Sequence, residues 1–159
     1  MKHTVLCVLL IILMASAGCT SYFSNLQTPQ KTLDLKETAI FSQEKTKFAA
    51  TVNSVTINQK SSFPRQFTLK MTVKNTGTEA FSLIGYPRLV GADGSESAGN
   101  NIMFGSVHPN GYATGTSTIT IMTEQEYAAL EENAVLRVKY QSMKPLPYEG
   151  IWAVDFSSL

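Results

Sequence analysis

Residues 67–83, FTLKMTVKNTGTEAFSL, decide the fold. Apolar and polar residues alternate from Phe67 to Lys74, which is the period of a strand with one buried and one exposed face. Residues 75–78 then supply Asn, Thr and Gly, turn residues that tolerate positive φ. A second apolar run begins at Ala80 and ends at Leu83. The stretch therefore predicts two consecutive antiparallel strands joined by a short turn.

Short apolar or β-branched runs on both sides of this stretch predict further strands. We predict one edge strand, straight or bulged, over residues 33–42, and others over 48–57, 88–90, 112–122, 135–140 and 151–156. Between them lie loops at 58–64 and 97–101, a break at Gly85-Tyr86-Pro87, and turns at 92–95, 107–111 and 145–147. About seven to nine short strands at this spacing predict an all-β, immunoglobulin-like antiparallel β-sandwich.

One short helix is predicted among the strands, over residues 124–131. Thr123 and Glu126 have the spacing of a capping box, in which each side chain satisfies a backbone N–H of the other residue. Glu131 and Glu132 follow near the helix end, where acidic side chains oppose the helix dipole. We therefore expect the helix to be short.

The composition is typical of one globular domain preceded by a targeting segment. The chain has 159 residues, of which 43% are hydrophobic, and this is enough apolar material for a core. Lys and Arg total 13 against 12 Asp and Glu, so the chain lacks the excess of positive charge that is typical of nucleic-acid-binding proteins. The two cysteines, Cys7 and Cys19, both precede the predicted domain, so that domain can hold no internal disulfide.

Residues 1–18 have the three parts of a secretory signal peptide. A short polar start precedes an unbroken apolar run over residues 5–14, which is shorter than the roughly 20 residues of a spanning helix. Ser16-Ala17-Gly18-Cys19 resembles the lipobox of prokaryotic lipoproteins, although Ser16 stands where an aliphatic residue is usual. The resemblance implies cleavage before Cys19 and a lipid on its sulfur. The alternatives are an ordinary signal peptide with an incidental cysteine and an uncleaved anchor helix.

The lipid on Cys19 would anchor the protein to a membrane, because its two acyl chains meet the requirement for stable attachment. Residues 19–32 would then be the lipidated cysteine and a polar, flexible tether of about 20 Å average reach. The folded domain is expected over residues 33–159. The resemblance implies an extracytoplasmic location. This would be the outer membrane in a diderm bacterium, since Thr20 is not the Asp associated with inner-membrane retention, and otherwise the outer face of the cytoplasmic membrane.

Three features within residues 33–156 together resemble the DUF4352 type of extracytoplasmic immunoglobulin-like domain, which is often found on prokaryotic lipoproteins. They are residues 33–39 followed by the strand at 48–57, the strand end at 73–77, and Asp93-Gly94 before a loop and Pro109-Asn110-Gly111. One feature is altered, since the aliphatic-Pro-Gly turn that the family usually has before the long strand is His108-Pro109-Asn110-Gly111 in this chain. The family has no accepted catalytic residues, so the resemblance implies none in this chain.

Few residues offer the chemistry of a catalytic or metal site. His108 is the one histidine after residue 18, and its Pro-Asn-Gly turn favours a solvated side chain over a general base. Copper would need clustered ligands, for which His108, Met103 and Met122 are the candidates. Calcium would need several oxygen ligands from one loop, and the alternative is an ordinary Asp-Gly turn. The candidate calcium ligands are Asp93, Glu96, Asn100 and Asn101. We predict no catalytic residue, no cofactor, no metal and no enzymatic activity.

The remaining class of function is binding. Six aromatic residues are scattered through the predicted strands and loops, and exposed ones could bind a glycan or a protein. They are Tyr86, Phe104, Tyr112, Tyr140, Tyr148 and Trp152, and core packing accounts for most of them. We predict a non-enzymatic module that binds an envelope protein or a surface ligand. The alternative is a structural spacer or accessory subunit of an envelope complex that pairs an edge strand with its partner.

Overall fold

Two antiparallel sheets pack face to face in a computed structural model of the protein. The structure describes residues 31–43, 46–58, 61–142 and 145–159. The predicted signal peptide, the lipidation predicted at Cys19 and most of the predicted tether therefore lie outside the described residues. The strands within them are β1 (Thr38–Gln43), β2 (Thr46–Ile57), β3 (Arg65–Asn75), β4 (Phe81–Val90), β5 (Glu96–Ala98), β6 (Ile102–Val107), β7 (Tyr112–Ile121), β8 (Ala134–Gln141) and β9 (Pro145–Val154). The helices are α1 (Glu124–Glu132) and a 3-10 turn (Phe156–Ser158).

The strand order confirms the predicted immunoglobulin-like β-sandwich. Sheet I has the order β1-β2-β3-β7. Sheet II has the order β5-β4-β8-β9, and β6 also pairs with β4. The strand pairs within both sheets are antiparallel.

The alternation predicted for the stretch that follows Phe67 is confirmed. Phe67, Leu69, Met71 and Val73 are completely buried, while the residues between them face the outside of sheet I. β3 pairs with β2 on one side and with β7 on the other, which places it inside the sheet. Its apolar residues therefore supply the middle of the core.

The core fills the space between the inner faces of the two sheets. Trp152, Val154 and Phe156 alternate into it as predicted, and Trp152 has no exposed surface. Near one end of the sandwich the rings of Phe41 and Phe48 stack, with their centroids 4.7 Å apart. Near the other end Phe67 packs against Phe156 at 5.0 Å. These ring pairs close the two ends of the core.

β4 runs without a break from Phe81 to Val90, so the break predicted at Gly85-Tyr86-Pro87 is wrong. The carbonyl of Pro87 accepts a hydrogen bond of 3.0 Å from the N–H of Gly99. The backbone N and O of one residue point to the same edge of an antiparallel strand. The nitrogen of Pro87, which carries no hydrogen, therefore points toward Gly99 and not toward β8. Pro87 therefore interrupts no hydrogen bond to β8, where it lies opposite Val138.

Strand pairing corrects three other predicted segments. Residues 97–101, predicted as a loop, contain part of β5, which pairs with the end of β4. The turn predicted at 145–147 is the start of β9, where an edge strand tolerates a first-position Pro145. The strand predicted over 33–42 is divided, because Leu33 forms a bridge with Trp152 of sheet II, whereas β1 starts at Thr38 in sheet I. Lys36, with φ of 74°, redirects the chain between them.

The predicted capping box and short helix are confirmed. The N–H of Glu126 donates to Oγ1 of Thr123 at 3.2 Å, and Oε2 of Glu126 accepts from the N–H of Thr123 at 3.2 Å. α1 ends at Glu132, one residue later than predicted. Leu130 is its buried residue, and this contact docks the helix on the sandwich.

Asn75 has a different role from the predicted one. It is the last residue of β3 and is completely buried, and the positive φ angles occur elsewhere, for example 62° at Asn110. Its Nδ2 donates to the carbonyls of Glu79 and Val107, both at 2.8 Å, and its Oδ1 accepts from the N–H of Gly77 at 2.8 Å. Asn75 therefore joins the β3–β4 turn to the end of β6.

We expect Tyr140→Phe to stabilise the protein by about 1 kcal/mol. The hydroxyl of Tyr140 is buried and has no hydrogen-bond partner within the described part of the chain, and burial raises its pKa, so it stays neutral. Removing the hydroxyl removes the free-energy cost of burying an unpaired polar group, and it leaves the ring contacts with Phe41 and Phe48 in place. Urea denaturation measures the change, and Tyr86→Phe, which removes a satisfied hydroxyl, is the matched control. A loss of stability in Tyr140→Phe would contradict this expectation.

Candidate functional site

One lateral side of the sandwich is bridged over only part of its length. β1 is an outer strand of sheet I and β9 is an outer strand of sheet II. Residues 33–37, which we call the crossing segment, pass from β9 to the edge of sheet I. The N–H of Leu33 donates to the carbonyl of Ile151 at 2.9 Å, and the N–H of Lys36 donates to that of Val52 at 2.9 Å. The crossing segment therefore ties the two sheets together just before β1 begins.

Trp152 holds the crossing segment in place from the core side. Its Nε1 donates to the carbonyl of Glu37 at 3.1 Å, so a core residue of sheet II supports the start of β1. Its indole ring lies over Gly150, where a Cβ atom would overlap the ring. Glycine at this position allows the ring to approach the backbone of β9.

A groove of about 320 Å³ lies next to the crossing segment, between β1 and β9. Its lining is mainly apolar, with one charged side chain of each sign. The lining residues are Lys31, Leu33, Thr38, Ala39, Ile40, Phe41, Glu149, Gly150 and Ile151. The groove is thus formed by two strand edges, which present backbone hydrogen-bonding groups as well as apolar surface.

The opposite lateral side is bridged near residues 117–119 of β7. Gly99 forms a bridge with Ile119 of β7, and the N–H of Asn100 donates to the carbonyl of Thr118 at 3.1 Å. Oγ of Ser117 donates to the carbonyl of Asn100 at 2.6 Å. In the described residues, these hydrogen bonds join the two sheets at one end of β7, and the outer edges of β1 and β9 lie on the other side.

β1 lacks the devices that usually protect an edge strand. Its sequence, TAIFSQ, contains no charged residue and no proline, and the side chain of Ile40 is 79% exposed. β9 contains Pro145, Pro147 and Glu149, all of which discourage pairing. Of the two edges, β1 is the one whose composition permits the addition of another strand.

The candidate copper ligands lie too far apart for one ion. His108 precedes β7 and Met122 follows it. β7 has 10 residues, which at about 3.3 Å per residue separate its ends by roughly 30 Å. Met103 is 75% exposed on β6, in the other sheet. In the described residues no group of three or more His, Cys, Asp or Glu side chains could hold a metal ion.

The candidate calcium ligands are engaged in local structure. Oδ1 of Asp93 accepts from the N–H of Ser95 at 2.9 Å, and hydrogen bonds from the Ser95 side chain and then from its backbone lower the pKa of Asp93. Glu96 forms an ion pair with Arg88 at 2.6 Å, and the hydrogen bond from Arg88 lowers the pKa of Glu96. The contacts favour the alternative interpretation, an Asp-Gly turn with a neighbouring ion pair. Asn100 and Asn101 belong to the next connection, before β6.

The aromatic residues mostly serve the core, as predicted. Trp152, Tyr140 and Phe104 are buried, and Tyr148 packs against the ring of Phe41 at 5.4 Å. Two of the six lie outside the core. Tyr112 has 66% of its surface exposed on β7, and Tyr86 is half-buried on β4, where its hydroxyl donates to Oε1 of Gln141 at 2.8 Å. The loops therefore gain no aromatic cluster from these residues.

Comparisons with known proteins show the fold and leave the function open. No protein-family model and no curated protein sequence matches the chain. The yjhA protein from Bacillus subtilis has a TM-score of 0.53 and 13% identity, over 78% of this chain and 100% of that chain. At this identity the likeness shows the shared β-sandwich fold alone.

Two other solved structures have lower scores. The secreted protein MPT63 from Mycobacterium tuberculosis has a TM-score of 0.49 and 11% identity, over 79% of this chain and 98% of that chain. A β-glucosidase from Paenibacillus barengoltzii has a TM-score of 0.48 and 14% identity, over 73% of this chain and 14% of the enzyme. Within the described part of the chain, no helix has the length and apolar character needed to cross a bilayer.

Proposed function

We propose that the protein is a lipid-anchored extracytoplasmic module that binds an envelope protein, without catalysis, by pairing an extended segment of that protein with β1. The observation that carries the proposal is the uncharged, proline-free edge of β1 beside the apolar groove. An added strand would satisfy the outward N–H and C=O groups of β1. Alternate side chains of the added strand would enter the groove and provide specificity.

The groove favours a partner segment with small or medium apolar residues at alternate positions. Ala39 faces the groove from β1 and Leu33 and Ile151 line it from the crossing segment and β9. Lys31 and Glu149 also line the groove, so a charged residue of the partner segment, acidic or basic, would meet an opposite charge there. The pairing therefore suits an amphipathic strand rather than a helix.

The anchor in this proposal comes from the sequence. Cys19 after Ser16-Ala17-Gly18 would carry two acyl chains, and the tether to Leu33 would keep the domain within about 20 Å of the membrane on average. The membrane would be the outer membrane in a diderm bacterium and otherwise the outer face of the cytoplasmic membrane.

We also propose membership of the DUF4352 type of domain. Support comes from two of the quoted motifs, which meet in space. The N–H of Asn110, in the Pro-Asn-Gly turn, donates to the carbonyl of Asn75, at the Asn-Thr-Gly strand end, at 3.0 Å. The two motifs thus form one hydrogen-bonded unit at the end of the sandwich.

Recovery of the partner from native membranes tests the proposal. We expect the mature protein to retain a stoichiometric envelope protein, and Ala39→Lys to reduce that recovery at least tenfold, because the charge enters the groove beside the pairing edge. Ala98→Lys, in the short outer strand β5, introduces the same charge elsewhere and should leave recovery unchanged. Amide exchange in residues 38–43 should slow when the partner is bound.

Three results would contradict parts of the proposal. Equal recovery with Ala39→Lys and Ala98→Lys would exclude the groove. Unchanged amide exchange in β1 would exclude strand addition, and a folded bait that retains no protein would favour the spacer role. An intact mass that keeps residues 1–18 or lacks acyl chains would contradict the anchor alone.

A further inference from the structure

The outer face of sheet I carries lysines and hydroxyl groups. Lys47, Lys70 and Lys74 point outward from β2 and β3, and the outward positions of the four described strands contain no Asp or Glu. Nine outward residues of this face are threonines. They are Thr38, Thr51, Thr56, Thr68, Thr72, Thr114, Thr116, Thr118 and Thr120. The face is therefore cationic and rich in hydrogen-bonding groups.

The strand register aligns the threonines across the sheet. Thr38, Thr51, Thr72 and Thr114 form one row over all four strands. The hydroxyls of Thr38 and Thr51 are 2.8 Å apart, and those of Thr72 and Thr114 are 3.0 Å apart. Nδ2 of Asn53 donates to the hydroxyl of Thr72 at 2.8 Å. The β-branched side chains and these bonds hold the row in a defined arrangement.

The adjacent row adds exposed apolar groups to the same face. It consists of Ile40, Ala49, Lys74 and Tyr112, one residue from each strand. Ile40 is 79% exposed and Tyr112 is 66% exposed, and Nζ of Lys74 lies 5.2 Å from the centroid of the Tyr112 ring. Tyrosine and lysine are among the side chains that favour the boundary between a bilayer and water.

The outer face of sheet II differs in charge. Arg88 pairs with Glu96 at 2.6 Å, and Lys139 lies opposite Glu149 in the β8–β9 register. Because carboxylates accompany the cations there, that face has no comparable attraction for an anionic surface. The two outer faces of the sandwich are thus electrostatically distinct.

We infer that the outer face of sheet I lies on the surface of an anionic lipid bilayer. Lysines attract anionic headgroups, threonine hydroxyls donate hydrogen bonds to phosphate oxygens, and Ile40 and Tyr112 enter the interface. The inference rests on the proposed lipid anchor for proximity, since a short tether gives even a weak surface contact a high effective concentration. In this orientation the free edge of β1 stays at the side of the contact, open to a partner.

Fluorescence quenching in vesicles tests the orientation. The lipidated protein carries a thiol-reactive fluorophore on Thr116→Cys, on the outer face of sheet I, or on Met103→Cys, on β6 of sheet II. The vesicles contain nitroxide-labelled headgroups in phosphatidylcholine, with or without 30% phosphatidylglycerol. We expect stronger quenching at position 116 than at 103 with phosphatidylglycerol, and loss of the difference in 1 M salt, which screens the charges.

Charge removal provides the matched controls. Each lysine near such a surface changes the partition about fivefold. Lys70→Gln with Lys74→Gln should therefore lower the ratio of protein with sheet I against the bilayer to protein with sheet II against it by about 25-fold. Arg137→Gln with Lys139→Gln removes the same charge from sheet II and should have little effect. Equal quenching at both positions would overturn the inference, and so would a difference that does not need phosphatidylglycerol.

The test separates this inference from the proposed function. If the intact mass shows no lipid on Cys19, the free thiol of Cys19 is first blocked so that the fluorophore labels only position 116 or 103. The same quenching comparison is then made with the unlipidated protein added to the vesicles. A preference of position 116 would then still support the membrane face. Recovery of the envelope partner, tested with Ala39→Lys, does not depend on either label.

Discussion

Asn75→Asp should destabilise the protein by more than about 3 kcal/mol. The carboxylate would place an oxygen where Nδ2 of Asn75 now donates to the carbonyls of Glu79 and Val107, both at 2.8 Å. Two buried acceptors would lose their donor and face another acceptor in a completely buried site. Urea denaturation followed by circular dichroism measures the loss, and the thermal midpoint should fall by roughly 10 °C.

The pH dependence of this variant gives a second check. Burial among carbonyls raises the pKa of the introduced carboxyl in the folded protein, so the folded state binds the proton more tightly than the unfolded state. The stability deficit is therefore largest at neutral pH and shrinks as the pH falls and the group becomes protonated.

Asn101→Asp is the matched control for the same substitution. Asn101 is exposed in the connection before β6 and makes no side-chain hydrogen bond to the described residues. We expect its effect to stay within about 0.5 kcal/mol. If Asn75→Asp cost no more than Asn101→Asp, the side chain of Asn75 would not be what joins the β3–β4 turn to the end of β6.

Trp152→Ala should cost about 4 kcal/mol, because it removes a completely buried ring from the core. The variant also leaves the carbonyl of Glu37 without the Nε1 donor at 3.1 Å. Trp152→Phe keeps most of the apolar volume but loses that donor, so we expect about half the cost. Amide exchange in the crossing segment and β1 should accelerate in both variants, since Trp152 holds the start of β1.

An exposed aromatic residue provides the control for ring deletion. Tyr112→Ala removes a ring that is 66% exposed, and its effect on the free energy of unfolding should stay below about 1 kcal/mol. A Trp152→Phe variant with unchanged exchange at Thr38 would contradict the support role of the indole N–H, even if Trp152→Ala were destabilising.

The predictions that are confirmed depend on local sequence. Alternation from Phe67 to Val73 predicts which side chains are buried, because the strand period is set by the backbone. The capping box of Thr123 and Glu126 predicts the start of α1, since all its partners lie within one turn. The corrections include those at Pro87 and Leu33, whose hydrogen-bond partners lie outside their own segments of the chain.

The candidate site could not be predicted in the same way. The absence of charge in TAIFSQ is visible in the sequence. It indicates an edge open to pairing only because β1 is an outer strand of its sheet. The groove requires β1 and β9 to lie beside each other, although more than a hundred residues separate Ala39 from Ile151 in the chain. Neither strand alone encodes that proximity.

The sequence by itself determined the β-sandwich class, the strand faces and the short helix, because these follow from periodicity and from bonds between near neighbours. The tertiary structure alone decided the open edge, the role of Asn75 and the alignment of Thr38, Thr51, Thr72 and Thr114 in one row. Each of these depends on which distant strands pair and in which register, and register is set by the packing of the whole core.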